Sequence, residues 1–181
     1  MMTITRIRTH LVLLLLVIAS VACVSTPVQA VDSELAKFYG RYTNSLHRIE
    51  VAHRYKVGQF NSTYIKALEK AEEKTEKYGD VQGFETVGEE LVRFRATPVL
   101  TEDHLHNEPE VLAERQIDAL EKINAIHQER ETLIARLQKT YLTALSDLKL
   151  RTTSKQAAAK VDEALKALKA RPEYIPPKQD K

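Results

Sequence analysis

Residues 35–71 read LAKFYGRYTNSLHRIEVAHRYKVGQFNSTYIKALEKA. Within them Leu35, Tyr39, Tyr42, Leu46, Ile49, His53, Lys56 and Phe60 recur at alternating steps of four and three. That spacing is the seam of a coiled coil. The register then slips by one, from Phe60 to Tyr64, and continues through Ala67 or Leu68 to Ala71. Such a step locally unwinds a supercoil. Glu69, Glu72, Glu73 and Glu76 interleave with Lys66, Lys70, Lys74 and Lys77, the pairing of a solvated helix face. The pattern predicts a long helix capped by Ser33 and stopped at Tyr78-Gly79-Asp80, with Gly79 left-handed and Asp80 capping the next helix.

Outward from this stretch the chain stays helical in pattern. A short helix is expected over Val81 to Arg95, with Phe84, Val87, Leu91 and Phe94 on one face. Gly83 and Gly88 weaken it by about 1 kcal/mol each relative to Ala, or admit a close neighbour. Residues 96–109 read as a linker bracketed by Pro98 and Pro109 and polar from Thr101 to Glu108 except for Leu105. A second long helix is expected over Glu110 to Leu150, with Leu112, Ala119, Ile123, Ile126, Leu133, Leu137, Tyr141 and Leu148 on its seam. Thr153 and Gln156 have capping-box spacing and open a fourth helix ending near Ala170. The tail, 172–181, holds three Pro and is expected to be extended or disordered.

The two halves match at an offset of 77 without a gap: Leu35 with Leu112, Ile49 with Ile126, Tyr64 with Tyr141, Leu68 with Leu145 and Leu91 with Leu168. The register slip recurs between Leu137 and Tyr141. The reading is therefore an all-α chain of two repeated long-helix/short-helix hairpins, 31–95 and 110–171, forming an elongated antiparallel coiled coil or a four-helix bundle. Tyr64, Leu68 and Ala71 are expected against Phe84, Val87 and Leu91. The first halves of the long helices, 33–60 and 110–137, carry apolar seams with no partner in their own hairpins. Leaving these wet forgoes about 1.5–3 kcal/mol per Leu or Ile, so they are expected to pack on each other. A parallel pseudo-twofold arrangement is within reach of the linker, and an open elongated array is the other solution.

Tyr64-Ile65-Lys66-Ala67-Leu68, Tyr78-Gly79-Asp80, Val87, Glu90 and Arg93-Phe94 together resemble a YxxALxxL…GD…V…E…RF pattern of exported helical proteins of planctomycete and verrucomicrobial bacteria. The resemblance covers about 60 residues of the first copy. In the second copy Gln156-Ala157 stands for Gly-Asp and Arg171 for Phe. It implies bacterial export and helical hairpins, and no assigned activity.

Residues 1–30 have the pattern of a signal peptide: Arg6 and Arg8, an uncharged run from Leu11 to Val24, and Val28-Gln29-Ala30 before the expected cleavage. That run, 14 residues, falls short of the ~20 needed to span a bilayer. Ser20-Val21-Ala22-Cys23 resembles a lipobox with Ser at its first position, so a lipid anchor at Cys23 is the alternative to cleavage after Ala30. The leader holds two of the 27 basic residues and none of the 25 acidic ones, so the mature chain is neutral, and the one Cys leaves with it. A neutral chain gives no electrostatic push toward nucleic acid, and a Cys-free one has no disulfide or thiol nucleophile. The expected location is periplasmic or extracellular.

No P-loop, GxSxG, HExxH, GxGxxG or CxxC is present. His104 and His106, flanked by Glu102, Asp103 and Glu108, form the one cluster of metal-ligand composition, set against a solvated polar linker as the plainer reading. His53 and Lys56 interrupt the first seam and Arg130 the second; either a paired network or a locally open seam with snorkelling side chains accounts for them. Tyrosines at helical spacing are read as core, with Tyr39 and Tyr42 the best candidates for a ligand platform. Asn61-Ser62-Thr63 is a glycosylation sequon placed mid-helix. The functional expectation is a non-enzymatic exported scaffold or adaptor without a cofactor, acting through helix–helix contacts with a protein partner or a second copy. An extracytoplasmic small-ligand or metal-binding module is the alternative.

Overall fold

The computed structural model describes residues 27–171 and 173; the basic leader, Cys23 and the rest of the tail lie outside the described residues. Four α-helices account for its regular structure, with one 3-10 turn and no strand among the described residues. They are α1 (Pro27–Lys77), α2 (Val81–Ala96), α3 (Glu110–Arg151) and α4 (Lys155–Lys169). The 51 residues of α1 make a rod about 77 Å long.

The first helix starts at Pro27, six residues before the expected cap at Ser33. Proline suits a first helical turn because its missing N–H would have no partner there. The added turn is held by packing: Val31 is buried and Val28 half-buried against the core at that end. Gly79 takes φ +71° and ends α1, and the Asp80 carboxylate accepts from the Gly83 amide at 2.9 Å, as the sequence indicated. A Cβ at position 83 would lie 2.1 Å from that carboxylate, which explains the glycine. The fourth helix is capped by Ser154 instead of Thr153, with the Ser154 hydroxyl 3.5 Å from the Ala157 amide.

The long helices run antiparallel. Tyr42 stacks against Tyr141, Glu50 meets Arg130, His53 meets His127 and Lys56 meets Glu129. The parallel arrangement is thereby corrected. Antiparallel pairing starts α3 beside the end of α1, where Leu112 joins Leu68 in one cluster, so the linker need not travel back along the rod. Each hairpin then receives the first half of the other long helix as its third helix.

Two cores result. One joins Phe60, Tyr64, Leu68 and Ala71 of α1 with Val87, Leu91 and Phe94 of α2 and Leu112, Ala119 and Ile123 of α3. The other joins Val31 and Tyr42 of α1 with Tyr141, Leu145 and Leu148 of α3 and Ala157, Val161 and Leu168 of α4. Phe84, expected in the first core, is 37% exposed. On the α3 seam Ile134 is buried in place of Leu133, and the buried face runs Ile134, Gln138, Tyr141, Leu145, Leu148, so the slip falls before Ile134 and not between Leu137 and Tyr141.

The repeat also needs correction. The long helices keep the offset of 77, and both Thr75 and Thr152 bond back to the carbonyl four residues earlier, of Ala71 and Leu148. The turns do not: α1 ends at Lys77 and α3 at Arg151, and the caps Asp80 and Ser154 are 74 apart. At that offset Gly83, Val87 and Phe94 correspond to Ala157, Val161 and Leu168, all buried. Leu168, not Arg171, therefore stands where Phe94 does.

Candidate functional site

Between the two cores, residues 47–56 of α1 and 127–136 of α3 belong to neither cluster. Among the described residues the Phe94 ring of α2 meets Phe60, and after α4 Arg171 meets Tyr39 and Tyr42 while Glu173 meets Gln138. The rod is thus two helices thick at this waist and three at each end. Here the seam turns polar, because the sequence places His53 and Lys56 where Leu or Ile would continue it, with Glu50 beside the seam residue Ile49.

The waist is crossed by three polar pairs. The Arg130 guanidinium forks onto Glu50, its Nε 3.1 Å from both carboxylate oxygens and a terminal nitrogen on Oε1. That bridge, about a third exposed on each side, holds the Glu50 carboxyl below the usual carboxylate range. His53 Nε2 lies 3.0 Å from His127 Nδ1, with the rings tilted and 5.1 Å apart. Burial, then His127 and Arg130, lowers the pKa of His53 against the opposing pull of Glu50. Lys56 Nζ bonds Glu129, both about half exposed. Of the two readings, a paired network or a locally open seam, the interrupting residues follow the first: they pair across the seam, partly exposed. Ile49, Ala52, Ile126 and Leu133 line the dent around them.

The residues of the YxxAL…E…RF pattern form one unit at the other core. The Tyr64 hydroxyl donates to buried Glu90 at 3.2 Å, and Arg93 donates to the same carboxylate from Nε at 2.6 Å and a terminal nitrogen at 2.8 Å. Arg93 also donates to the Val99 carbonyl of the linker, and the Phe94 ring meets Tyr64 edge-on at 4.7 Å. A buried carboxylate is stable because both charge and hydrogen bonds are supplied there. These side chains anchor α2 and the linker to α1, and Tyr64 also lines a small cleft with Phe60, Ala67 and Ala119.

His104 and His106 sit on the linker, in and just after the 3-10 turn Glu102–His104. His104 Nδ1 is engaged by Thr101, 3.1 Å from its amide and 3.0 Å from its hydroxyl, while the His106 side chain is exposed. What fixes the loop is Gln116, fully buried, donating to the His104 carbonyl at 2.8 Å and accepting from the His106 amide at 2.7 Å. The two imidazoles thus share a backbone anchor. Among the described residues no group of three or more His, Cys, Asp or Glu side chains is placed to hold a metal ion.

The tyrosines divide. Tyr42, Tyr64 and Tyr141 are core, whereas Tyr39, Tyr55 and Tyr78 are more than half exposed; Tyr174 lies outside the described residues. The Tyr39/Tyr42 platform is occupied by the chain itself, with the Arg171 guanidinium 5.2 Å from both ring centroids. Buried Gln138 donates to the Glu173 carbonyl and holds the start of the tail, as Gln116 holds the linker. Asn61 of the sequon lies half-buried in mid-helix. Sequence reasoning missed Gln116, Gln138 and Leu100, the last buried in the linker. Two glutamines four and three residues from seam positions were the available signal.

No helix among the described residues is long and apolar enough to cross a membrane. Comparisons with protein-family models, curated proteins and solved structures find no match.

Proposed function

We propose that this protein is an exported, non-enzymatic scaffold or adaptor that docks a partner helix on the outer side of its waist. One observation carries the reading. On α1, Val51, Tyr55, Gly58 and Ser62 follow one another at steps of four, three and four, the spacing of a second seam. Val51 is 45% and Tyr55 66% exposed. Apart from the adjoining backbone of α1 and the two neighbouring residues, no heavy atom of the described residues comes within 4 Å of where a Gly58 Cβ would stand, leaving a dent lined by Tyr55, Gln59 and Ser62. An aromatic anchor beside a small residue is what a helix-in-groove contact uses. Export is supported by the leader pattern, and cleavage after Ala30 would leave Val31, a core residue, as the first of the mature chain.

The test is crosslinking in the native envelope together with light scattering of purified protein. Tyr55→Glu should reduce association with the partner, or with a second copy, by at least tenfold while leaving the helical circular dichroism unchanged. A Tyr55→Glu chain that associates as the wild type does would refute the docking strip. A mature N-terminus at acylated Cys23 would replace cleavage after Ala30 by a lipid anchor.

A further inference from the structure

The offset of 77 that relates the long helices maps Glu50 onto His127 and His53 onto Arg130. The antiparallel pairing therefore relates the Glu50–Arg130 bridge to the His53–His127 pair by the pseudo-twofold of the waist. One side of the axis carries a permanent ion pair, since arginine stays charged at any physiological pH. The equivalent side carries two imidazoles, each able to take up one further proton.

We propose that the His53–His127 pair is a proton-operated latch, closed while the pair holds at most one added proton and released when both rings are protonated. The 3.0 Å contact joins ring nitrogens, one of which must donate and the other accept. Two neutral rings satisfy this, and so does one neutral ring with one imidazolium. Two imidazolium rings offer only donors, and bring like charges within one hydrogen-bond length.

The surrounding charges relieve that repulsion only in part. On α1 the pair is flanked by Glu50, Arg54 and Lys56, and on α3 by Glu129, Arg130 and Glu131. Glu50 is already committed to Arg130 and Glu129 to Lys56. Burial, His127 and Arg130 oppose protonation of His53, against the pull of Glu50. Among the described residues the waist is crossed by α1 and α3, with buried Ile134 and the Glu50–Arg130 and Lys56–Glu129 pairs beside the histidines. The latch works on this chain alone and does not depend on the docking of a partner.

The test is hydrogen–deuterium exchange of the full chain at pH 8 and pH 5, corrected for intrinsic exchange rates. Peptides covering 47–56 and 127–136 are expected to lose at least tenfold protection at pH 5 relative to peptides of the two end cores. His53→Gln with His127→Asn places a non-titrating amide donor and acceptor at the two ring nitrogens, and should hold the change under twofold. His127→Asn alone leaves one ring to titrate and should give the same small change, which covers a double variant that folds poorly. Equal protection of the wild-type waist at both pH values would overturn the latch. So would a tenfold loss in both variants, which would place the transition outside the histidine pair.

Discussion

Tyr64 illustrates how a single side chain ties sequence to structure. It is 3% exposed, donates to Glu90, and lies against Phe60 and Phe94. Burial, and then the neighbouring Glu90 carboxylate, pushes the pKa of its hydroxyl well above the ordinary value near 10. The folded state thus keeps a proton that the unfolded chain releases as pH rises above 10. The stability linked to this proton is fully present below pH 10 and is lost above it, at up to about 1.4 kcal/mol per pH unit. Tyr64→Phe should cost about 1 kcal/mol at pH 8 and flatten the alkaline loss in urea titrations. An alkaline slope identical to wild type would show that Tyr64 titrates freely. The sequence marked Tyr64 as core from its spacing, but its partners Glu90 and Arg93 were visible only as letters in a pattern. Pairing across helices depends on the relative rotation of α1 and α2, which no single-helix periodicity contains.

At the scale of elements, the helices were legible because each has a long apolar period and a chemical stop. Gly79-Asp80 marked one turn correctly. The second turn was misplaced at Thr153, since Thr153 and Ser154 are both competent caps and three residues are missing relative to the first hairpin. The start of α1 was misread because the leader pattern and the first helical turn overlap at Pro27 to Ala30. The linker was read as a solvated loop, yet Leu100 is buried and Gln116 clamps the backbone of His104 and His106. Its fixity comes from one distant side chain, a contact local composition does not encode. Gln116→Ala removes both bonds and should raise the rate of limited proteolysis within residues 97–109 by about tenfold, consistent with a loss of about 1–2 kcal/mol of local stability. Unchanged cleavage would mean that Leu100 and the Arg93–Val99 bond suffice to hold the loop.

At the scale of the whole molecule, the sequence supplied the repeat and the demand that the first halves of the long helices find partners. It left their relative direction open, because a 4-3 seam serves parallel and antiparallel pairs alike. The polar residues agree with the direction the two cores impose: Glu50, His53 and Lys56 find Arg130, His127 and Glu129 when α3 runs against α1. The direct test is double electron–electron resonance on spin-labelled cysteine pairs, with Cys23 replaced by Ser. Glu34 and Arg151 touch across the end of the rod, 3.5 Å apart at their charged groups. Labels at 34 and 151 should therefore give a short distance, within about 25 Å including the label arms, whereas labels at 34 and 114 should lie about 50 Å apart along the rod. A short distance for 34 and 114 together with a long one for 34 and 151 would contradict the antiparallel rod and the paired waist built upon it.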